Sequence, residues 1–243
     1  MKKPFFERWR HFYSGHYNIL LFFAVMLFVF RPYGGSDTYI AVWTLLLAGT
    51  ILSSIFNCRH RLYIKWTAAA LAIPSVLLSW LNLYSPSPPL FIINAIFTIL
   101  FMFISVGSIL YDVVLRAHVT LETLRGVICA YFMVAFAFAY CYYLIEFLIP
   151  GTFLFSDKSI SVFSFTHYIS EMLYFSFVTL LTIGYGDIVA VKDWGQTTAV
   201  VEGIVGQFYV AILVARLVSV YSFYSDKRLI RALEKPSRPR KKA

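Results

Sequence analysis

The chain has 243 residues, of which 60% are hydrophobic, 19% aromatic and only 14% charged, and its mean hydropathy is +0.73. This composition excludes an ordinary soluble domain of this size, and the charge-poor windows of membrane length that recur along the chain predict a polytopic helical membrane protein. The formal net charge of +9 is compatible with nucleic-acid binding, but basic loops kept on the cytoplasmic side of a membrane explain it better, so we expect no nucleic-acid partner.

Four apolar segments in the first half of the chain predict a scaffold of four transmembrane helices, residues 17–111, after a basic N-terminal segment, residues 1–16. No small-residue cleavage site follows the first apolar segment, so we expect it to be retained and not removed as a signal peptide. Polar, basic or proline-rich turns separate the segments. The four predicted spans are residues 17–30, 38–56, 66–84 and 90–111.

The second half of the chain predicts a different arrangement, in which a short segment lies between two long apolar ones. A polar connector, residues 112–126, precedes this module, residues 127–224, and a basic tail, residues 225–243, follows it. The module consists of a fifth span (residues 127–149), a polar outer segment (156–166), a short helix (168–181) and a sixth span (197–221). The predicted fold is therefore an all-α membrane protein with six transmembrane helices and a re-entrant helix and loop between helices 5 and 6.

The distribution of lysine and arginine predicts the orientation of these spans. Seventeen of the 21 basic residues fall on the side that carries both termini, and only three fall on the other side. Because cytoplasmic loops are enriched in lysine and arginine, both termini are predicted to lie in the cytoplasm of a cell membrane, plasma or bacterial inner.

Residues 182–187, Thr-Ile-Gly-Tyr-Gly-Asp, join the short helix to the sixth span. A dehydrated cation needs oxygen ligands in place of its water, and backbone carbonyls can supply them. Aiming successive carbonyls at one axis requires backbone conformations that most residues resist, and glycine adopts them at little cost, which explains Gly184 and Gly186. Such irregular backbone is tolerated in a membrane only where it is buried in protein or lines an aqueous path.

This hexapeptide resembles the selectivity filter of the potassium-channel family, whose motif reads Thr-(Val/Ile)-Gly-Tyr-Gly-Asp. The resemblance implies a homotetramer that conducts K⁺ passively, with no cofactor other than the permeant ion. It also implies that Gly186 completes the filter and that K⁺ is bound by the Thr182 hydroxyl and by four backbone carbonyls, those of Thr182, Ile183, Gly184 and Tyr185. Nothing in the sequence resembles a nucleophile–base pair, a metal cluster or a phosphate loop, so we expect a non-enzyme.

Two features next to the hexapeptide depart from the family pattern. The residue before the filter threonine is Leu181, where the family usually has a second threonine. The aromatic pair on the pore helix behind the filter is Tyr174 and Phe175, where tryptophans are common. Tyr174 is expected to hydrogen-bond toward Asp187, whereas Phe175 has no donor, so the effect of these changes on selectivity and inactivation stays open.

Two acidic residues are predicted to lie at membrane depth, where such groups are usually paired or functional. Glu146, near the outer end of the fifth span, is expected to support the filter structurally, with backbone donors near Trp194 and Gly195 as its partners. An ion-attracting role at the pore mouth is the alternative. For Glu202, in the outer half of the sixth span, the sequence leaves structure and function equally open.

The sixth span carries the predicted inner cavity. Gly206 falls where many potassium channels have a hinge glycine, and close helix packing through a small residue is the equal alternative. If the helix is regular, Val210 and Val214 share a face with Gly206 and should line the cavity, and Gln207 can also reach it.

The fourth span, residues 90–111, contains no lysine or arginine, so the scaffold has no charges with which to sense voltage. The eight basic residues between positions 227 and 242 can attract anionic lipids, or they simply orient the chain. The sequence therefore predicts a voltage-insensitive potassium channel. A weakly selective cation channel and a non-conducting subunit that retains the pore scaffold are the alternatives, and the gating stimulus and the packing of the scaffold on its own or a neighbouring pore are left open.

Overall fold

The computed structural model describes residues 16–30, 45, 48–49, 62–84, 87–115, 121–156 and 165–233. Over these residues the chain is mostly helical, with one short two-stranded sheet. In chain order the elements are α1 (His16–Val29), α2 (Leu62–Tyr84), α3 (Pro88–Leu115), α4 (Leu121–Leu148), β1 (Phe153–Phe155), α5 (Phe165–Leu180), β2 (Ile188–Ala190) and α6 (Asp193–Leu233).

Three of these helices are long and apolar enough to cross a membrane: Pro88–Tyr111, Leu124–Leu148 and Asp193–Ala215. They correspond to the predicted fourth, fifth and sixth spans. The apolar parts of α1 and α2, Tyr17–Val29 and Trp66–Asn82, are shorter. The predicted second span, residues 38–56, lies outside the described residues except for helical positions 45, 48 and 49, so the count of six spans stays a prediction.

The helices differ from the predicted boundaries mainly at polar ends. α3 and α4 both extend into the predicted connector, residues 112–126. α6 begins four residues before the predicted span and continues to Leu233, into the predicted basic tail. Polar residues ended the predicted spans because hydropathy marks the membrane, whereas the backbone hydrogen bonds of a helix continue wherever side chains permit.

α4 is the centre of the packing. It contacts α1, α3, α5 and α6, and its eight consecutive residues 133–140 are all buried. A helix that is apolar and buried on every side belongs to the core of a helical assembly. Aromatic side chains dominate its contacts, for example the edge-to-face pair Phe103–Phe138 between α3 and α4, with ring centroids 5.9 Å apart.

The scaffold helices α1 and α3 pack on the second half of the same chain. Phe28 of α1 contacts Phe132 of α4 and Phe177 of α5, with ring centroids 6.2 Å and 4.8 Å away. Phe91 of α3 packs near Phe147 of α4. Within the described chain, the scaffold therefore lies against its own module.

The two strands of the sheet flank α5 and the hexapeptide in the sequence. β1 follows α4, β2 follows the hexapeptide, and the two pair antiparallel with Leu154 opposite Val189. Two further backbone bonds extend the pairing, from Ser156 N to Asp187 O (2.9 Å) and from Val191 N to Thr152 O (2.8 Å). The sequence analysis did not predict this sheet, which ties the end of the hexapeptide to the loop that follows α4.

Candidate functional site

The hexapeptide begins as the C-terminal cap of α5. The amide of Thr182 donates to the carbonyl of Thr179 (2.9 Å), and the amide of Ile183 donates to the carbonyl of Val178 (2.8 Å). These are the two hydrogen bonds of a Schellman motif, in which the residue after the cap adopts a left-handed conformation. That residue is Thr182, with φ of 56°. The cap satisfies carbonyls at the helix end and turns the chain into the loop.

Left-handed residues alternate along the loop. Thr182, Gly184 and Gly186 have φ of 56°, 63° and 78°, while the intervening Ile183 and Tyr185 do not have positive φ. In a regular strand successive carbonyls point to opposite sides, and left-handed residues at every second position are the backbone departure that a row of carbonyls on one side requires. The two glycines are required by conformation and not by space, because a Cβ at either would meet no described atom within 4 Å.

The carbonyls of this loop have no donors in the described part of the chain. No N–H or O–H there donates to the carbonyl of Thr182, Ile183, Gly184 or Tyr185, whereas the next carbonyl to be bonded, that of Asp187, accepts from Ser156. Backbone carbonyls at membrane depth are ordinarily satisfied. Backbone carbonyls without donors are the kind of ligand that a dehydrated cation needs.

The side chains of the loop are exposed in the single chain. Ile183 is 46% exposed and Tyr185 is 68% exposed. Tyr185 contacts α5 through its ring, which stacks on Tyr174 with centroids 6.5 Å apart and an angle of 6°.

The hydrogen bond expected between Tyr174 and Asp187 is present. The Tyr174 hydroxyl donates to Oδ2 of Asp187 at 2.7 Å, and the amide of Ile188 donates to Oδ1 at 3.1 Å. Tyr174 therefore holds the outer end of the loop twice, by this bond and by its stack on Tyr185.

Glu146 accepts three backbone hydrogen bonds, but not from the residues that the sequence analysis named. The amide of Gly151 donates to Oε1 (2.7 Å), and the amides of Thr152 and Phe153 donate to Oε2 (2.8 Å and 3.0 Å). The expected donors near Trp194 are therefore wrong: the carboxylate caps the turn that follows its own helix, where exposed N–H groups are close in sequence.

The turn held by Glu146 nevertheless reaches the start of α6. Thr152 packs so closely on Gly195 that a Cβ there would lie 2.5 Å from the Thr152 methyl carbon, and Phe153 begins the strand that pairs with β2. The 4% exposed Glu146 is thus linked through β1 and β2 to the outer end of the loop. Trp194, also expected to support the loop, has an indole that is 67% exposed in the single chain.

Phe175 lies away from the loop, in an aromatic cluster. Its ring packs edge-to-face against Tyr142 of α4 and Phe153 of β1, with centroids 5.0 Å and 5.4 Å away. The sequence analysis paired Phe175 with Tyr174 as a support behind the filter. The structure separates them because neighbouring residues on a helix point in different directions.

Gly206 makes the closest contact between α5 and α6. A Cβ at this position would lie 2.6 Å from the carbonyl oxygen of Leu180, and α6 is a continuous helix through it. The close packing is therefore present, and a hinge at Gly206 stays a prediction. Gln207 is the next residue, Val210 and Val214 lie one and two turns on, and all three side chains are exposed in the single chain.

Two tyrosines that the sequence analysis did not single out also join these helices. The Tyr131 hydroxyl of α4 donates to the carbonyl of Leu180 (3.3 Å), and the Tyr209 hydroxyl of α6 donates to the carbonyl of Val127. Their rings lie 5.2 Å apart. A buried tyrosine hydroxyl needs a partner, so tyrosines within apolar spans were the available signal.

This arrangement defines a class of protein. A short helix lies between two membrane-length helices, and its cap leads into a row of unpaired carbonyls, as in the pore module of an ion channel.

Comparison with known proteins agrees with that class. Residues 127–223 match the family model described as "Ion channel". A 76-residue segment is 37% identical to the two pore potassium channel c of Oryza sativa subsp. japonica, a match that covers 31% of this chain and 17% of that protein. No solved structure matched the chain. Residues 127–223 are therefore similar to an ion channel domain, which is not an enzyme, and the chain is an integral membrane protein.

Proposed function

We propose that this protein is a potassium-selective channel that conducts K⁺ passively through the loop of residues 182–186. The observation that carries the proposal is the alternation of left-handed residues at Thr182, Gly184 and Gly186, which turns carbonyls without donors to one side. Carbonyl rings replace the hydration shell of K⁺. The Thr182 hydroxyl is proposed as the innermost ligand, and the rice relative named as a potassium channel supports the choice of ion.

We propose further that four copies of the chain assemble around this path. One loop faces an ion from one side only, and its backbone carbonyls cannot face lipid without a large cost. The same chain leaves Ile183 and Tyr185 exposed, and only 11% of the membrane-length window of α6 is buried. Other copies would cover these surfaces and complete the ring.

The proposed topology has six spans with both termini in the cytoplasm and the Asp187 end of the filter outside. The excess of lysine and arginine on one side supports this orientation. Gln207, Val210 and Val214 would line the inner cavity below the filter, and the basic residues after position 226 would bind anionic lipids at the inner surface.

The test is a flux and reversal-potential measurement on the purified protein in liposomes. With K⁺ on one side and Na⁺ on the other, a selective channel gives a reversal potential near the K⁺ equilibrium value. A reversal potential near zero with measurable current would mean weak cation selectivity. Absence of flux from assembled protein would favour a non-conducting subunit. Empty liposomes prepared in the same way provide the control.

A further inference from the structure

Glu202 of α6 is an acidic side chain that is completely buried. It is 0% exposed, and its two oxygens contact side chains from two other helices. The Tyr142 hydroxyl of α4 donates to Oε2 at 2.5 Å, and Ser176 Oγ of α5 contacts Oε1. The carboxyl group therefore joins α4, α5 and α6 at one point.

No described cation contacts this carboxyl group. Among the described residues, the ionisable groups that interact electrostatically with it are Tyr131, Cys141 and Tyr142, all on α4. Each of them is neutral while it keeps its proton, so none can neutralise a carboxylate. A buried ion without a counter-charge is costly, and proteins seldom retain one.

The hydrogen atoms around Ser176 point to a proton on Glu202. Ser176 Oγ is within hydrogen-bond distance of two oxygens, Oε1 of Glu202 and the carbonyl of Ala135 at 2.8 Å. A serine hydroxyl has one proton to donate. If Glu202 were ionised, both neighbours would be pure acceptors, and one of the two contacts would hold no hydrogen.

A protonated Glu202 gives every contact one hydrogen. Tyr142 donates to Oε2, the acid donates from Oε1 to Ser176 Oγ, and Ser176 donates to the carbonyl of Ala135. The result is a continuous chain of donors from α4 through α6 and α5 and back to α4, in which each bond reinforces the next.

We propose that Glu202 is a protonated carboxylic acid that positions the pore helix against the inner helix. Its effect on conduction rests on the proposed function, whereas its protonation and its contacts do not. The contact between Glu202 and Ser176 has a counterpart one turn away, where Gly206 meets Leu180. Glu202 and Gly206 are four residues apart on α6, as are Ser176 and Leu180 on α5. The two contacts together therefore hold α5 in one register along α6.

This register matters for the filter because Leu180 is the last residue of α5. The Schellman cap that starts the filter follows directly after it. A pore helix that slides or rotates along α6 would displace the carbonyls of Thr182 and its neighbours. Glu202 is thus a positioning residue, which acts on the ion path through α5.

Infrared spectroscopy of the full-length protein in liposomes tests the protonation directly. A protonated acid has a carbonyl stretching band that an ionised carboxylate lacks. We expect this band at neutral pH in the native protein and its loss in Glu202→Gln. Asp193→Asn, which removes an exposed acid at the start of the same helix, should leave the band in place. Absence of any band that Glu202→Gln removes would overturn the proposal, whether or not the protein conducts.

A rescue experiment tests the positioning role. Glutamine can donate to Ser176 through its amide and accept from Tyr142 through its oxygen, as the protonated acid does. Glu202→Gln should therefore retain the thermal stability of the assembly and its K⁺-over-Na⁺ permeability ratio. Glu202→Leu, similar in size but without donor or acceptor, should lose both. Equal loss in the two variants would contradict the proposal, since the glutamine would then fail to replace a neutral acid.

Discussion

Helices α4 and α6 contain membrane-length windows of nearly the same mean hydropathy, but their surroundings are opposite. Their membrane-length windows have mean hydropathies of 1.9 and 1.8, yet 67% of the first is buried and only 11% of the second. α4 has neighbours from its own chain on every side, whereas α6 has them mainly on one side. One chain therefore completes the packing around α4 by itself, whereas most of α6 is left to contact other molecules.

Lipid could cover the apolar side chains of α6, but it cannot cover the filter. The loop beside α6 exposes carbonyls without donors, and a backbone of this kind occurs at membrane depth only next to protein or water. The exposed side of α6 and the loop thus form one surface that the single chain leaves uncovered.

The largest effect is expected from Gly186→Ala. A non-glycine residue in the left-handed conformation costs about 1–2 kcal/mol, and Gly186 has φ of 78°. Because about 1.4 kcal/mol is a factor of ten in an equilibrium, the strain in each subunit should displace the carbonyls and abolish K⁺ selectivity or conduction. Membrane insertion should be unchanged, because the packing around α4 does not involve this loop. Normal K⁺ currents from the variant would remove the filter assignment.

The next effect concerns the link between the two helices. Glu146→Gln leaves one oxygen for three backbone amides and directs an N–H₂ group at one or two of them. Losing hydrogen bonds to a charged acceptor costs about 1.5–3 kcal/mol. We expect lower stability of the assembly and faster loss of conduction during sustained activity, with unitary current unchanged.

Asp193→Asn is the matched control for Glu146→Gln, because it removes one negative charge from an exposed position at the start of α6. If Glu146 instead attracts cations to the mouth, the unitary current of its variant should fall most at low salt, where screening is weak. That result, together with unchanged stability, would refute the structural role.

Substitutions at two glycines of α6 compare the side of the helix that the chain covers with the side that it leaves exposed. Gly206→Ala places a Cβ 2.6 Å from the Leu180 carbonyl and should destabilise the fold by about 1–3 kcal/mol. At Gly203 a Cβ meets no described atom within 4 Å, so Gly203→Ala should gain up to about 1 kcal/mol from helix propensity. Denaturation in detergent measures both.

The two glycine variants also bear on assembly. A stabilised Gly203→Ala monomer whose assembly is weakened would mean that another copy packs on this side of α6. Equal effects at both glycines would contradict the one-sided packing of α6, since the two positions differ only in their neighbours within the chain.

The sequence predicted what depends on composition and local pattern. Apart from the second span, most of which lies outside the described residues, the apolar spans correspond to helices because hydropathy is summed over many residues. Gly184 and Gly186 have the left-handed conformation that their residue type suggested. The left-handed Thr182 was not predicted. It follows from the helix cap, which needs a turn at this position whichever residue occupies it.

What the sequence did not reveal depends on distant contacts. Strands β1 and β2 have three residues each, too few for an alternating pattern, and only their pairing identifies them. Glu202 was recognised as a buried acid, but its partners Tyr142 and Ser176 lie on other helices. The donors of Glu146 were within reach of sequence reasoning, because they follow the end of its own helix.

The smallest effect is expected from membrane voltage. α3 corresponds to the fourth span, whose residues 90–111 include no lysine or arginine, and it packs against the buried α4 through Phe91 and Phe103. Moving one charge through the whole field supplies about 2.3 kcal/mol per 100 mV. Without such charges α3 stays with α4 as fixed scaffold, and the open probability should change little across the physiological range. Single-channel recordings at steady voltages measure this directly. A steep dependence, equivalent to several gating charges for the assembly, would mean that voltage acts on charges outside α3, and it would contradict a fixed scaffold.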